Sequence, residues 1–214
     1  MKTQCDDQRF IRDVAKHQLT IIRDDGLYRH IRLSVPGSRC MLFDLVTWPG
    51  HLCYTGDMGT YVFSRIPDMF AFFRSREGRD LDINPSYWSE KAEATDKGSG
   101  IKEFSEDKFN AAVMSHLVEW IRNNRYRTTK DERRELWVDV VHEVIRADGD
   151  SGGHRKQAAV HDFSHRVNND VEFYFKDFWE ASVEVYTFHY IWCCYAMNWG
   201  VAQYDAHKKS LEAD

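Results

Sequence analysis

The chain of 214 residues lacks the features that mark several common classes of protein. Its formal charge of −5 at pH 7 excludes the strong basic excess of a general nucleic-acid coat protein. Its five cysteines form no CxxC pair and have no spacing typical of metal ligands. No apolar run reaches the length of a membrane span, and the opening residues MKTQCDDQRF lack the apolar core of a signal peptide. These absences predict a reduced, cytoplasmic protein with no membrane segment and no cofactor.

Motifs of the large catalytic families are also missing. The chain has no GxSxG nucleophile elbow, no GxGxxG dinucleotide fingerprint and no Walker phosphate loop. The stretch DGDSG at residues 148–152 resembles a fragment of a calcium loop but lacks the closing glutamate, so we interpret it as a flexible turn. The sequence therefore predicts no catalytic residue, and it favours a protein that is not an enzyme without deciding the question.

The densest pattern in the chain runs from Phe43 to Arg74. Short runs of β-branched and aromatic residues alternate there with Pro-Gly and Gly-rich turns, which is the signature of antiparallel hairpins. A weaker alternation precedes it, and a short apolar helix at Met69–Arg74 closes it. The predicted strands are His17–Arg23, Leu27–Val35, Cys40–Trp48, His51–Tyr54 and Thr60–Ser64. We predict an α+β fold whose residues 1–74 form an antiparallel meander of about five strands with a short helix.

Helical patterns dominate the second half. Residues 75–104 read as a linker, and residues 105–214 as a helical half packed on the sheet in one compact unit. Ser105 is a good N-cap, and Thr129 to Glu132 form a capping box. A further helix is predicted over Lys156–Val167. The run from Val183 to Ala206 is apolar on nearly every side, so we place it at the core of the helical half and leave open a contact with the sheet.

One histidine pair raises the possibility of a metal site. On a helix, His161 and His165 would lie one turn apart and face the same ion, with Asp162 where an HExxH zinc helix carries its glutamate. The pair His161-Asp162 also resembles that of HD-type phosphohydrolases. A solvated polar helix face explains the same residues, and we favour it. A metal-dependent hydrolase of nucleotides or nucleic acid, with His161, Asp162 and His165 at the metal, stays open as an alternative.

Two further stretches have the residue types of anion-binding sites. The segment Arg122–Arg134 carries six cations around Tyr126, a composition that can hold phosphates and stack bases, but acidic residues are interleaved. An ordinary helix–helix connector is the favoured interpretation, and a nucleic-acid-binding module is the alternative. In the loop Tyr54–Thr60, two glycines flank Asp57 and could form a backbone nest, yet a tight hairpin turn explains both glycines.

Three stretches carry a resemblance to a known family: HQLTIIRDDGLYRHIRL, FDLVTWPGHLCYTGDMGTYVFSR and IWCCYAMNWGVAQYD. On these motifs, from about His17 to Asp205, the chain resembles a family of proteins of similar length that are encoded by tailed bacteriophages and prophages and are generally without assigned function. The resemblance implies a phage or prophage origin and expression in a bacterial cytoplasm. It implies no catalytic residue.

The context of that family leads to a functional expectation. Acidic phage accessory proteins without a catalytic signature are often inhibitors of host defence, anti-CRISPR proteins among them, which is an analogy of context. We therefore expect a protein that binds and disables a host defence component, such as a CRISPR effector complex, by blocking its nucleic-acid binding. Nucleic acid is a less favoured partner, and the oligomeric state is left open. The candidate binding residues are Trp48, Tyr54, Asp57, Arg122, Arg125 and Arg127.

Overall fold

The structure, a computed structural model, describes residues 5–147 and 153–213. The turn expected at residues 148–152 lies outside them. The chain divides into two compact units, which we call unit one (Met1–Lys102 and Tyr186–Asp214) and unit two (Glu103–Val185). The fold is α+β, as predicted, with an antiparallel sheet and a short helix in the N-terminal part and mostly helices afterwards.

Unit one is built on a six-stranded antiparallel sheet in which each strand pairs with the next along the chain. The five predicted strands are confirmed, with ends that differ by a few residues. The tight turns between the strands set the register of their pairing. Gly50, in the turn between the third and fourth strands, has a φ of 82°. The strands are β1 (Gln18–Asp25), β2 (Tyr28–Ser34), β3 (Phe43–Trp48), β4 (His51–Gly56), β5 (Gly59–Ser64) and β6 (Ala92–Ala94).

The sixth strand lies in the segment that the sequence predicted to be a linker. This segment also contains a short helix that buries Trp88 against Phe73, with ring centroids 4.8 Å apart. Elements of three and five residues are too short for a periodic signal, so only the tertiary contacts reveal them. The helices of the N-terminal part are α1 (Asp7–Val14), α2 (Met69–Phe73) and α3 (Pro85–Ser89).

The long helix α7 (Phe188–Ala213) covers one face of this sheet. Trp192 is fully buried, and its ring contacts that of Phe43 on β3 at 5.6 Å. Gly200 allows the close approach, because a Cβ there would lie 2.9 Å from Cδ1 of Leu45. The placement of this helix at the core of the helical half was wrong: its side chains belong to the core of unit one. An apolar pattern on all sides of a helix predicts that the helix is buried, but it does not indicate which element the helix packs against.

Unit two is a helical layer with one small hairpin and its own apolar core. Ser105 caps its first helix by accepting a hydrogen bond from the Lys108 amide at 3.3 Å, and Thr129 and Glu132 form the predicted capping box. Strands β7 (Lys102–Phe104) and β10 (Glu184–Tyr186), where the chain enters and leaves, pair with each other. The other elements are α4 (Glu106–Asn123), α5 (Lys130–Asp139), a π-helical continuation (Val140–Ile145), α6 (His154–Asp162), β8 (Ser164–Arg166), β9 (Glu172–Tyr174) and a 3-10 turn (Phe178–Glu180).

Within residues 5–147 and 153–213, no helix combines the length and the apolar content that crossing a bilayer requires.

Candidate binding surface

The candidate residues of the sheet stretch serve mainly the fold. Tyr54 is fully buried and stacks on Phe43 with ring centroids 5.6 Å apart, so its predicted role in a binding surface is wrong. Trp48 is half-buried and stacks on His51 at 5.0 Å. Asp57 lies in the tight turn between β4 and β5 that the sequence predicted, and its carboxylate accepts a hydrogen bond from the Met41 amide at 2.9 Å. These contacts occupy Asp57 and one face of Trp48.

The histidine pair does not have the geometry of a metal helix. Helix α6 ends at Asp162, and Phe163 is extended and packs into the core of unit two, so the helix predicted over Lys156–Val167 was wrong in its second half. His161 contacts the neighbouring Asp162 at 3.0 Å, whereas His165 lies on β8 and pairs with Asp139 at 2.8 Å. No group of three metal-ligating side chains occurs among the residues that the structure describes. The two histidines therefore do not lie one turn apart on a helix, as the hydrolase alternative assumed.

The basic connector, residues 122–134, spans the end of α4, a tight turn and the start of α5. Arg122, Arg125 and Arg127 are all exposed, and the Tyr126 side chain between them is 97% exposed. At that exposure the Tyr126 side chain buries almost no surface and contributes little to the stability of the fold. These three arginines and Tyr126 therefore lie on the surface of unit two.

Local hydrogen bonds hold the connector in shape. The Thr129 amide donates to the Glu132 carboxylate at 2.6 Å, and this bond, followed by that from the Thr129 hydroxyl, lowers the pKa of Glu132. Arg133 donates to the Thr128 carbonyl from the inside of the turn. Because Arg133 and the capping box organise the turn, the remaining cations are free to face solvent.

The connector meets the loop between β8 and β9 at an open cleft. The cleft has a volume of about 660 Å³ and is lined by Arg127 and by residues 168–171. The Arg127 guanidinium donates to the Asp170 carbonyl at 3.2 Å, and the Asn168 amide donates back to the Arg127 carbonyl at 3.2 Å. These two bonds fix the loop against the connector and give the cleft a polar wall.

A second exposed feature follows that loop and was not recognised from the sequence. Residues 170–180, which we call the acidic–aromatic strip, alternate between core and solvent. Val171, Phe173 and Phe178 are buried, while Tyr174 is 57% and Trp179 is 81% exposed. The exposed acidic side chains beside them are Asp170, Glu172, Asp177 and Glu180. The alternation of Val171, Phe173 and Phe175 indicated a strand with these three residues on one face. The residues between them must then face the other way, and this signal would have identified the exposed side chains of the strip.

The inward side of the strip is anchored by aromatic packing. Phe173 contacts Trp120 of α4 at 5.4 Å and Phe163 at 5.9 Å, with the rings edge to face in both pairs. Phe178 contacts Phe109 at 5.7 Å. Asp177 has a φ of 53°, which turns the chain into the 3-10 turn and points Trp179 outward. The strip is thus a firmly supported surface.

The charge of the molecule is unevenly distributed. Residues 103–185 contain 17 acidic and 12 basic side chains, so the formal charge of −5 of the whole chain falls within unit two. Within that unit the connector is basic and the strip is acidic.

Comparisons with models of known families, with curated proteins and with solved structures find no match to this chain, so the surface itself is the basis for a functional conclusion.

Proposed function

We propose that the protein is a phage- or prophage-encoded accessory protein that binds a component of a bacterial defence system through the acidic–aromatic strip and thereby inhibits it in the bacterial cytoplasm. The observation that carries this proposal is the exposure of Tyr174 and Trp179 on a rigid, acidic support. The phage context comes from the family resemblance of the sequence motifs. The proposed action is binding, with no chemistry performed by the protein.

Exposed aromatic side chains of this kind suit a protein interface. Tryptophan and tyrosine supply large contact areas with few rotatable bonds, and they are enriched among the residues that dominate binding energy. The 3-10 turn fixes the backbone of Trp179 and β9 fixes that of Tyr174, so little backbone entropy remains to be lost when a partner binds. The strip therefore has the character of a preorganised contact surface.

The surrounding carboxylates indicate the chemistry of the partner. A surface with Glu172, Asp177 and Glu180 exposed favours association with a basic protein surface and repels nucleic acid. The nucleic-acid channel of a defence effector, such as a CRISPR complex, is a basic surface of this kind. Occupation of that channel by the strip would compete with the nucleic acid for the same cations.

The test is a pulldown of the tagged protein from a bacterial host with active defence systems. We expect a stoichiometric host protein or complex to be retained, and its binding to weaken with rising salt and with excess DNA. The variant Y174A/W179A should weaken binding about 30-fold or more, since each side chain can contribute 1–2 kcal/mol or more. The matched control is Y28A, which removes a tyrosine that is 46% exposed in unit one and should bind normally.

Neutralisation of the strip separates the electrostatic part of the proposal from the aromatic part. The variant E172Q/D177N/E180Q keeps the size of each side chain, and asparagine tolerates the positive φ at position 177. It should slow association and flatten the salt dependence. Binding that is insensitive to salt, to DNA and to this triple change would show that competition with nucleic acid is the wrong mechanism.

A further inference from the structure

The cations of the connector differ from most arginines of unit one in having no carboxylate partner. In unit one, arginines such as Arg29 and Arg74 form ion pairs with aspartates at 2.6–2.7 Å. By contrast, Arg122, Arg125 and Arg134 are exposed, and no hydrogen bond or ion pair engages their side chains within the described residues. The interleaved carboxylates do not neutralise them by direct contact. Their guanidinium groups are therefore available to a ligand.

Tyr126 adds a flat stacking surface in the midst of these cations. Its side chain is 97% exposed at the tip of the turn, and no ring contact in the described part of the chain covers it. Stacking of a nucleobase on such a ring is sequence-tolerant, since every base has a π-face. Exposed arginines precede and follow Tyr126 in the chain, and cations beside an exposed ring suit a phosphate-bearing ligand with an unstacked base better than an apolar ligand.

The cleft beside the connector supplies hydrogen-bonding groups and space. Its volume of about 660 Å³ lies within the range of small-molecule sites and exceeds the size of a nucleotide. Asn169 on its wall is exposed, and its amide has no hydrogen-bond partner among the described residues. Arg127 uses one Nη to bind the Asp170 carbonyl and keeps further donors that can face the cleft.

We infer that the connector and the cleft form a binding site for single-stranded nucleic acid. Tyr126 stacks one base, Arg122 and Arg125 contact the adjacent phosphates, and the cleft takes a neighbouring nucleotide beside Asn169. Paired bases of a duplex offer no free face to Tyr126, so single strands are favoured. This site borders the acidic–aromatic strip, with which it shares Asp170 and Val171, but it uses other side chains for binding and does not rest on the proposed function.

The experiment measures binding of a fluorescently labelled 12-nucleotide oligo-dT to the full chain by anisotropy, from low to moderate salt. With about four phosphate contacts, the slope of log K against log salt should be about −3. The variant Y126A should lower the affinity about tenfold, whereas Y126F, which keeps the ring, should bind like the original. The variant R122A/R125A should reduce the size of the slope by about 1.4.

The control variant R39A/R65A removes two exposed arginines of unit one and should leave both affinity and slope unchanged. Absence of oligonucleotide binding at low salt would overturn the inference, as would equal binding by Y126A. An acidic peptide that binds the connector where oligo-dT does not would assign the site to a protein instead. Since Y174A/W179A should bind oligo-dT normally, failure of this site and failure of the proposed function can be told apart.

Discussion

At the scale of single residues, Asp44 shows how the sheet holds a charge on its outer face. Its side chain on β3 is 10% exposed, accepts two hydrogen bonds from Arg32 at 2.8 and 2.9 Å, and lies 2.9 Å from a ring nitrogen of His30. Burial alone would raise the pKa of Asp44, but the bonds from Arg32 and His30 outweigh it, so the pKa lies below its ordinary value of 3.8. The ionised form is therefore the one that stabilises the fold.

We expect D44N to lower the free energy of unfolding by about 1.5–3 kcal/mol at pH 7, the usual range for hydrogen bonds to a charged group. Because the folded-state pKa is lowered, the stabilisation is fully present above 3.8 and is lost as the pH falls through the folded value. The difference between the two proteins should shrink below about pH 4 in denaturant titrations followed by tryptophan fluorescence. D25N, at a carboxylate that is 74% exposed, should change little. An equal loss at all pH values would contradict this account.

Single residues also show what the sequence can predict about the site. The connector that contains Arg122, Arg125 and Arg127 followed from the helical patterns on either side of it, and the structure shows these arginines exposed. Tyr54 could not be assigned in this way, because its strand alternates between two faces and only the packing of α7 shows which face is buried. The strip was missed since Trp179 resembles a core residue by type, and only Asp177 with its positive φ turns it outward.

At the scale of elements, the hairpin of β4 and β5 depends on two glycines for different reasons. Gly59 has a φ of 109°, which a turn requires. Gly56 has no such φ, but a Cβ there would overlap the Leu42 carbonyl and lie 2.7 Å from the Phe43 Cα. The sequence accounted for both glycines by turn geometry, yet Gly56 is needed for the approach of β3.

We expect G56A to destabilise unit one by about 1–3 kcal/mol, because the backbone of β3 must shift to accept the methyl group. Gly98 offers a matched control: a Cβ there meets only the Asp96 carboxylate, at 3.3 Å. G98A should therefore cost much less than G56A in thermal or denaturant unfolding. If both substitutions had the same small effect, the contact between Gly56 and the backbone of β3 would not restrict the side chain at position 56.

The elements that the sequence predicted well are those with long periodic patterns or clear caps, such as β2, β3, α4 and α5. Helix α6 was extended too far because His161 to Val167 contains no proline or glycine to stop a helix. Its end is set by Phe163, which leaves the helical path to pack against Phe173 and Phe175. Such a tertiary choice overrides local propensity and leaves no mark in a single sequence.

At the scale of the whole molecule, unit two is inserted into unit one between Lys102 and Tyr186. The two insertion points lie close together, because the Thr187 amide donates to the Ile101 carbonyl at 3.0 Å. Each unit also has its own buried core. The change of pattern after the sheet predicted a boundary there instead, since the return of α7 to unit one has no local signal.

Replacement of residues 103–185 by a short Gly/Ser linker should leave unit one folded, as judged by tryptophan fluorescence and cooperative thermal unfolding. The isolated segment 103–185 should also fold, since its core is complete within itself. The control is a chain that lacks residues 188–213, in which the apolar face of the sheet loses its cover and unit one should not unfold cooperatively. Loss of structure in the linker variant would show that the units depend on each other.

The return of α7 to the sheet has a consequence for how the protein is made. The ribosome releases the six strands first, then all of unit two, and only then the helix that covers Phe43, Leu45 and Tyr61. Throughout that interval the apolar face of the sheet is open to chaperones and to other nascent chains. A chain that ends before Phe188 lacks the helix that covers this face of the sheet. Unit one can therefore complete its core only after unit two has been translated.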